Sequence, residues 1–250
     1  ITYGGYWGSS TDGKMYRLST KGLSSVTTCD LVVTPGQGSL VFAIDPINAT
    51  FALIIHEYAV QRFEFADGSV STVAGNGVSG FQNGLGTASQ FKAPQSLAID
   101  PIDGKYALLT ESCCGGTGTQ NVNVIRKIKL DTYQVTTVAG SATTAGNVDG
   151  GQSARFISLR GIAIDPIEGK YALVVQYNYP YASVRRIDLS NFSVTTLAGG
   201  GTTSTDGPGV DGTGGNAVFH ALLGIAIDPT GTFALVNSRH YFDYQMRKIV

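Results

Sequence analysis

Three histidines and one glutamate are the residues of this 250-residue chain best suited to hold a metal ion. Imidazole nitrogen suits zinc and carboxylate oxygen suits calcium, so the candidates are His56, Glu57, His220 and His240. No HxxxH or HxH spacing joins them, which argues against a shared centre. Nucleophilic chemistry has no better start, because no Gly-x-Ser-x-Gly elbow is present. The glycine-rich run from Gly75 to Gly80 sits between two extended stretches rather than between a strand and a helix, so a dinucleotide loop is not expected there. Cysteine occurs at Cys29, Cys113 and Cys114 with no CxxC pair. That odd count allows a free thiol, a vicinal Cys113–Cys114 disulfide or a link to another chain. No catalytic residue, cofactor or bound metal is therefore expected.

The elements that would position any site are written as a repeat. "AIDP" begins at Ala43, Ala98, Ala163 and Ala226, in steps of 55, 65 and 63 residues. Each copy leads into an apolar run ("FALII", "YALLT", "YALVV", "FALVN"), then a basic-apolar run ("VQRFEF", "VIRKIKL", "VRRIDL", "MRKIV"). A threonine-rich run closes the first three units ("VSTVAG", "VTTVAG", "VTTLAG"). Short β-branched segments bounded by Gly, Pro, Asp and Asn read as strands and turns. Four such strands per unit, here A to D, describe a blade. The expected fold is an all-β propeller of four-stranded antiparallel blades in one domain over residues 1–250. It has a partial blade at 1–38, blades near 39–75, 96–140 and 161–199, and a partial blade at 222–250. These make about five blade equivalents, as part of a six-bladed or longer array.

On these residues the unit resembles the NHL repeat, which reads as an apolar "GIAvDp" strand, a "YVaD" strand, an "NHxIRKI" strand and "VtTlAG". The D-to-A links resemble the long NHL form, with Phe91, Phe156 and Phe219 in register before strand A. The chain departs from that pattern after strand B, where His56, Glu111, Gln176 and Ser238 replace the Asp, and the "NH" pair is absent. Propeller lyases and lactonases resemble this architecture too; the resemblance implies a zinc or calcium ion at a channel mouth. The "YALV…VTTLAG" dialect also resembles secreted repeat proteins of algae and related protists, including surface-fibre and flagellar-hair components. The Phe before each strand A is expected to fill the groove between blades, and the alanines of strand A to line the channel.

Function is sought where blades differ. In an antiparallel blade the A–B and C–D turns share one face, and they are short here. The long B–C and D–A connections share the other, which is where binding is usually built. The B–C loops carry Tyr58, Tyr177, Tyr179, Tyr181, Tyr241, Phe242 and Tyr244, with Trp7 if the N-terminal segment is a B strand. Such rings either form an interaction patch or cover neighbouring blades. The sequons at Asn48 and Asn191 align with A–B and C–D turns, so glycans are expected on the short-turn face, leaving the aromatic face open. The two sequons and the cysteines lead to an expectation of secretion, and a start at Ile1 rather than Met is compatible with a removed leader.

Charge removes other partners. There are 17 basic and 18 acidic residues, for a net charge of −1. No field for nucleic acid results, and no apolar run reaches the roughly 18 residues of a membrane span. Expected partners are other copies of the chain, further blades, and glycans. The last unit runs A, B, C without a "VTTLAG", so its fourth strand is expected from residues beyond this stretch or from a neighbouring copy. Head-to-tail donation of that kind would build a filament. The favoured reading is a non-catalytic extracellular module for assembly or adhesion. The alternatives are a carbohydrate- or peptide-recognition propeller and a metal-dependent lyase or lactonase.

Overall fold

Each "AIDP" run is a strand that ends on its own aspartate. Asp45, Asp100, Asp165 and Asp228 accept a hydrogen bond from the backbone N–H two residues on, at 3.0, 3.1, 3.0 and 3.0 Å. That side-chain turn stops the strand, and the proline between supplies a fixed φ. Gly104, Gly169 and Gly231 then take φ of +66°, +62° and +70° to send the chain back. The computed structural model of the chain describes residues 15–20, 26–33, 41–113, 121–177, 182–200, 209–240 and 243–250. Side chains are described for 41–113, 121–177, 182–200, 209–239 and 245–250.

Five antiparallel sheets follow in chain order. The first pairs β1 (Met15–Thr20) with β2 (Val26–Val33). The second is β3 (Val41–Ile44), β4 (Phe51–His56), β5 (Ala59–Glu64) and β6 (Val70–Ala74). The third holds β7 (Gly84–Leu85), β8 (Pro94–Ile99), β9 (Tyr106–Ser112), β10 (Asn123–Lys129) and β11 (Gln134–Ser141). The fourth is β12 (Leu159–Ile164), β13 (Tyr171–Gln176), β14 (Ser183–Asp188) and β15 (Val194–Gly199). The fifth is β16 (Ala221–Ile227), β17 (Ala234–His240) and β18 (Asp243–Ile249). The third sheet departs from four strands because β7, part of its incoming link, pairs with the outer strand β11.

The strands β3, β8, β12 and β16 lie side by side in that order. They line a cavity of about 340 Å³, with Ala43, Ala98, Ala163 and Ala226 among its walls. The inner strands β12 and β16 also approach closely. A Cβ on Gly161 of β12 would lie 2.9 Å from the Gly224 Cα of β16. Each D strand carries a bulge: the register shifts at Val60/Gln61, Ile125/Arg126 and Val184/Arg185. Bulges turn the following residues onto a new line, here the "AG" that ends the strand.

Three buried clusters fill the spaces between consecutive sheets, each with one link phenylalanine: Phe91, Phe156 and Phe219. The "AG" glycine is what admits it. A Cβ on Gly75, Gly140 or Gly199 would come within 2.8, 2.9 or 2.6 Å of the Phe91, Phe156 or Phe219 ring. The same Cβ would stand 2.5, 2.3 or 2.5 Å from a backbone oxygen at the start of strand C. The φ values of +78°, +93° and +82° exclude a β-carbon independently.

Candidate functional site

The long links are shaped by their own short pairings. Backbone bridges join Gln82 to Gln90, Val148 to Arg155 and Val210 to Val218. Each bridge closes a small loop immediately before the buried phenylalanine. The first and third loops turn through short 3₁₀ segments, Gly86–Ala88 and Gly214–Asn216. Loops of this kind, on the end where B–C connections also emerge, form the surface that varies from blade to blade.

An arginine on each strand C fastens the link. Arg185 Nη2 donates to Val148 O at 2.9 Å and to Asp149 Oδ1 at 2.7 Å, and its Nη1 reaches Arg155 O at 3.2 Å. Arg126 Nη2 donates to Gln82 O at 2.8 Å and Asn83 Oδ1 at 3.1 Å, and Nη1 to Gln90 O at 3.3 Å. Arg247 repeats the set with Val210 O, Asp211 Oδ1 and Val218 O at 2.7, 2.6 and 2.6 Å. The Arg126, Arg185 and Arg247 guanidinium groups lie over Phe91, Phe156 and Phe219, 5.2, 5.3 and 4.6 Å from the ring centres. A planar five-donor group suits this role, since it meets several oxygens while stacking on a ring. The second sheet has no such phenylalanine before it, and Gln61 occupies the arginine's register position.

Strand B supplies the other fastening. Lys92 N–H donates to Glu111 Oε2 at 2.7 Å, and Ile157 N–H to Gln176 Oε1 at 3.0 Å. These are the residues that follow Phe91 and Phe156. Glu111 and Arg126 are both fully buried and 2.5 Å apart. Burial pushes the Glu111 carboxyl up, with the Arg126 charge and the Lys92 N–H acting against it. The departures after strand B are thus structural at Glu111 and Gln176.

Asp149 ties the link to the outer strand as well. Thr196 N–H donates to its Oδ2 at 3.0 Å and the Thr196 hydroxyl to Oδ1 at 2.9 Å. Burial pushes the Asp149 carboxyl up, but the Thr196 N–H, the Arg185 guanidinium and the Thr196 hydroxyl outweigh it and hold it below its ordinary value. A depressed carboxyl contributes stability that is present above the unfolded value of about 3.9 and lost as pH falls through the folded value. Asp149→Asn should therefore unfold at a lower temperature than the parent chain at about pH 7, with the gap closing as pH falls below about 3.9. Thermal melts across that range check it; a gap independent of pH would remove the carboxylate's role.

The basic residue one position on in strand C faces the opposite way and covers an aromatic at the start of strand B. Arg62, Lys127, Arg186 and Lys248 lie 3.6, 4.1, 4.8 and 4.5 Å from the ring centres of Phe51, Tyr106, Tyr171 and Phe233. Burial, with Asp100 and Asp103 adding to it, pushes the Tyr106 hydroxyl up to about 12. Consecutive basic residues in "IRK" and "VRR" are therefore two separate devices, one on each side of the blade.

The residues singled out by sequence fall unevenly. Tyr58 is 37 % exposed in the β4–β5 turn. Tyr177 follows β13 and is half-buried under the Arg160 guanidinium, 5.2 Å from its ring centre. Tyr179, Tyr181, Tyr241, Phe242, Trp7 and Cys114, and the side chain of Tyr244, lie outside the described residues. Cys113 is disulfide-bonded. Asn48 and Asn191 are exposed in the β3–β4 and β14–β15 turns. His56 ends β4, Glu57 follows it at φ +52°, and His220 is buried at the foot of β16. The side chain of His240 lies outside the described residues. Among the described residues no group of three His, Cys, Asp or Glu side chains is placed to hold a metal ion.

Sequence reasoning passed over the arginine fastening. Its signal was present: an Asn-Gly or Asp-Gly pair stands 43, 36 and 36 residues before Arg126, Arg185 and Arg247. Variable link lengths hid it, because the repeat was aligned on its strands.

No protein-family model and no curated protein matches the chain. Among solved structures it is similar to a chain of a nidogen/laminin complex, at 14 % identity and TM-score 0.63, covering 95 % of this chain and 71 % of that one. A protein of unknown function from Bacteroides thetaiotaomicron gives 18 % identity and TM-score 0.66, with 95 % and 56 % covered. An auxiliary nutrient-binding protein of the same organism gives 16 % and 0.62, with 90 % and 51 % covered. The fold is a β-propeller. The chain thus spans between about half and seven-tenths of the length of these three chains. No helix among its described residues is long and apolar enough to cross a membrane.

Proposed function

We propose that this propeller is a non-catalytic, NHL-like module that works outside the cell in assembly or adhesion. The observation that carries the proposal is the use of its buried cations. Arg126 and Arg185 are spent on fastening long links to rigid sheets, which builds a firm, variable surface. Rigid loops on a scaffold favour binding because little ordering entropy remains to be lost. A similar propeller solved in a nidogen/laminin complex and another described as nutrient-binding support a binding role. The disulfide at Cys113 supports an oxidising compartment. The exposure of Asn48 and Asn191 in short turns supports glycans on the opposite end from the links.

Glycopeptide mapping of native material, with light scattering of the same sample, tests this. The expected result is N-glycans at Asn48 and Asn191 and concentration-dependent self-association. Unmodified asparagine at both positions in a strictly monomeric protein would overturn the proposal.

One observation favours the second reading, recognition of a carbohydrate or peptide. The half-buried Arg160 donates to Gln95 Oε1 at 2.6 Å and lies over Tyr177, yet pairs with no carboxylate among the described residues. Aromatic faces with a nearby donor suit sugar rings and peptide planes.

A further inference from the structure

Asn-Gly occurs twice in this chain, at Asn76–Gly77 and Asn83–Gly84, both in the link between β6 and β8. A glycine after asparagine leaves the next main-chain nitrogen unshielded by a β-carbon, so that it can approach and attack the side-chain amide. Both asparagines are exposed, and access to solvent does not separate them. Hydrogen bonding does.

At Asn76 the reacting groups are free to meet. The Gly77 N–H makes no hydrogen bond among the described residues, and a Cβ on Gly77 would find nothing within 4 Å. The Val78 N–H donates to Asn76 Oδ1 at 3.0 Å. That bond polarises the side-chain carbonyl and stands where negative charge develops when a nucleophile adds to Cγ. At Asn83 the groups are held. Gly84 is paired with Val135 between β7 and β11, and a Cβ on it would lie 2.8 Å from Ala88 O. Asn83 Oδ1 accepts from Arg126 Nη2 and from the Thr137 hydroxyl, each at 3.1 Å.

Charge adds a reason for Asn83 to stay an amide. Arg185 and Arg247 each meet one carboxylate, Asp149 or Asp211, supplied by the link. Arg126 already has Glu111 from strand B, and its link supplies Asn83 instead. An aspartate at 83 would set a second negative charge beside that buried pair, where like charges disfavour ionisation.

We infer that Asn76 is a site of spontaneous covalent modification, and that the fold shields Asn83 from the same reaction. The Gly77 nitrogen bonds to Asn76 Cγ, the Cγ–Nδ2 bond breaks, and the Gly77 amide proton leaves with ammonia. Water then opens the cyclic imide, at the side-chain carbonyl to give aspartate or at the main-chain carbonyl to give isoaspartate. Either product adds a negative charge to the link surface, and isoaspartate also lengthens the main chain there by a methylene. The change falls on the face that varies between blades, whatever that face binds.

The test is storage of the folded 250-residue chain in mildly alkaline buffer, where the attacking amide loses its proton more readily, beside the same chain in concentrated urea. Peptide mapping, with fragment spectra that separate the two asparagines, follows the replacement of amide by carboxylate. In the folded chain Asn76 should convert at least about ten-fold faster than Asn83, because Gly84 must first leave its ladder and an opening cost of roughly 1.4 kcal/mol is already ten-fold. In urea that ladder is gone and the two rates should converge. Equal rates in the folded chain, or an Asn76 that stays intact, overturn the site. A difference that persists in urea belongs to local sequence and overturns the shielding by the fold.

Discussion

Arg126→Met is expected to destabilise the propeller by about 3–5 kcal/mol, the usual result of leaving one partner of a buried ion pair uncompensated. The residue left behind is Glu111, fully buried beside the vacated guanidinium. Its burial already pushes the carboxyl up, and without Arg126 the opposing charge is gone. A carboxyl whose folded pKa is raised contributes stability that is present below the unfolded value, about 4.3, and lost as pH rises through the folded value. The deficit of Arg126→Met should therefore be smallest near pH 4 and grow as pH rises from there. Adding Glu111→Leu should return part of the loss, because a well-packed apolar pair dispenses with the charge that needs compensation. Urea unfolding of the parent, single and double variants at two pH values decides. A double variant no more stable than the single one would show that lost hydrogen bonds to Gln82, Asn83 and Gln90, rather than the stranded carboxylate, set the cost.

Phe156→Ala should cost a comparable 3–5 kcal/mol, by cavity formation rather than charge. Phe156 is fully buried and belongs to the cluster between the third and fourth sheets, with Ile125, Leu159 and Val174. Its ring lies against the position a Gly140 Cβ would take and under the Arg185 guanidinium. The surrounding strands are held by ladders on both sides, so collapse into the space is limited and most of the cavity remains. Val78→Ala, at a residue 58 % exposed in the link before β8, serves as the comparison and should stay within about 0.5 kcal/mol. Thermal unfolding of the two variants separates the cases; a Phe156→Ala chain as stable as Val78→Ala would mean the phenylalanine is not what joins the sheets.

Much of the fold was legible because repetition multiplies weak signals. One "AIDP" could be a chance turn, but four, each followed by an apolar and a basic run, fix strand order and the position of the turns. The link phenylalanines were legible for the same reason. The site was not. Its working pairs are Arg185 with Asp149, Arg126 with Asn83, and Arg247 with Asp211, which are separated by whole strands and by links of unequal length. An alignment on strands slides these pairs out of view.

The sequence alone determined which segments are strands and where they turn. These follow from local physics: β-branched alternation, the Asp-Pro turn, and a glycine at positive φ. Tertiary structure alone decided what the charged residues do. Of two adjacent basic residues on strand C, the alternation of the strand sends one inward to a link and the other outward to an aromatic. Asp149 reaches Arg185 only because a distant link crosses the sheet there, while Glu111 reaches Arg126 from the neighbouring strand β9. Burial makes Glu111 a strut against Arg126, and Thr196 ties the half-exposed Asp149 to the outer strand. Both outcomes arise from long-range packing, which sets the dielectric and the partners of each group and which no local pattern records.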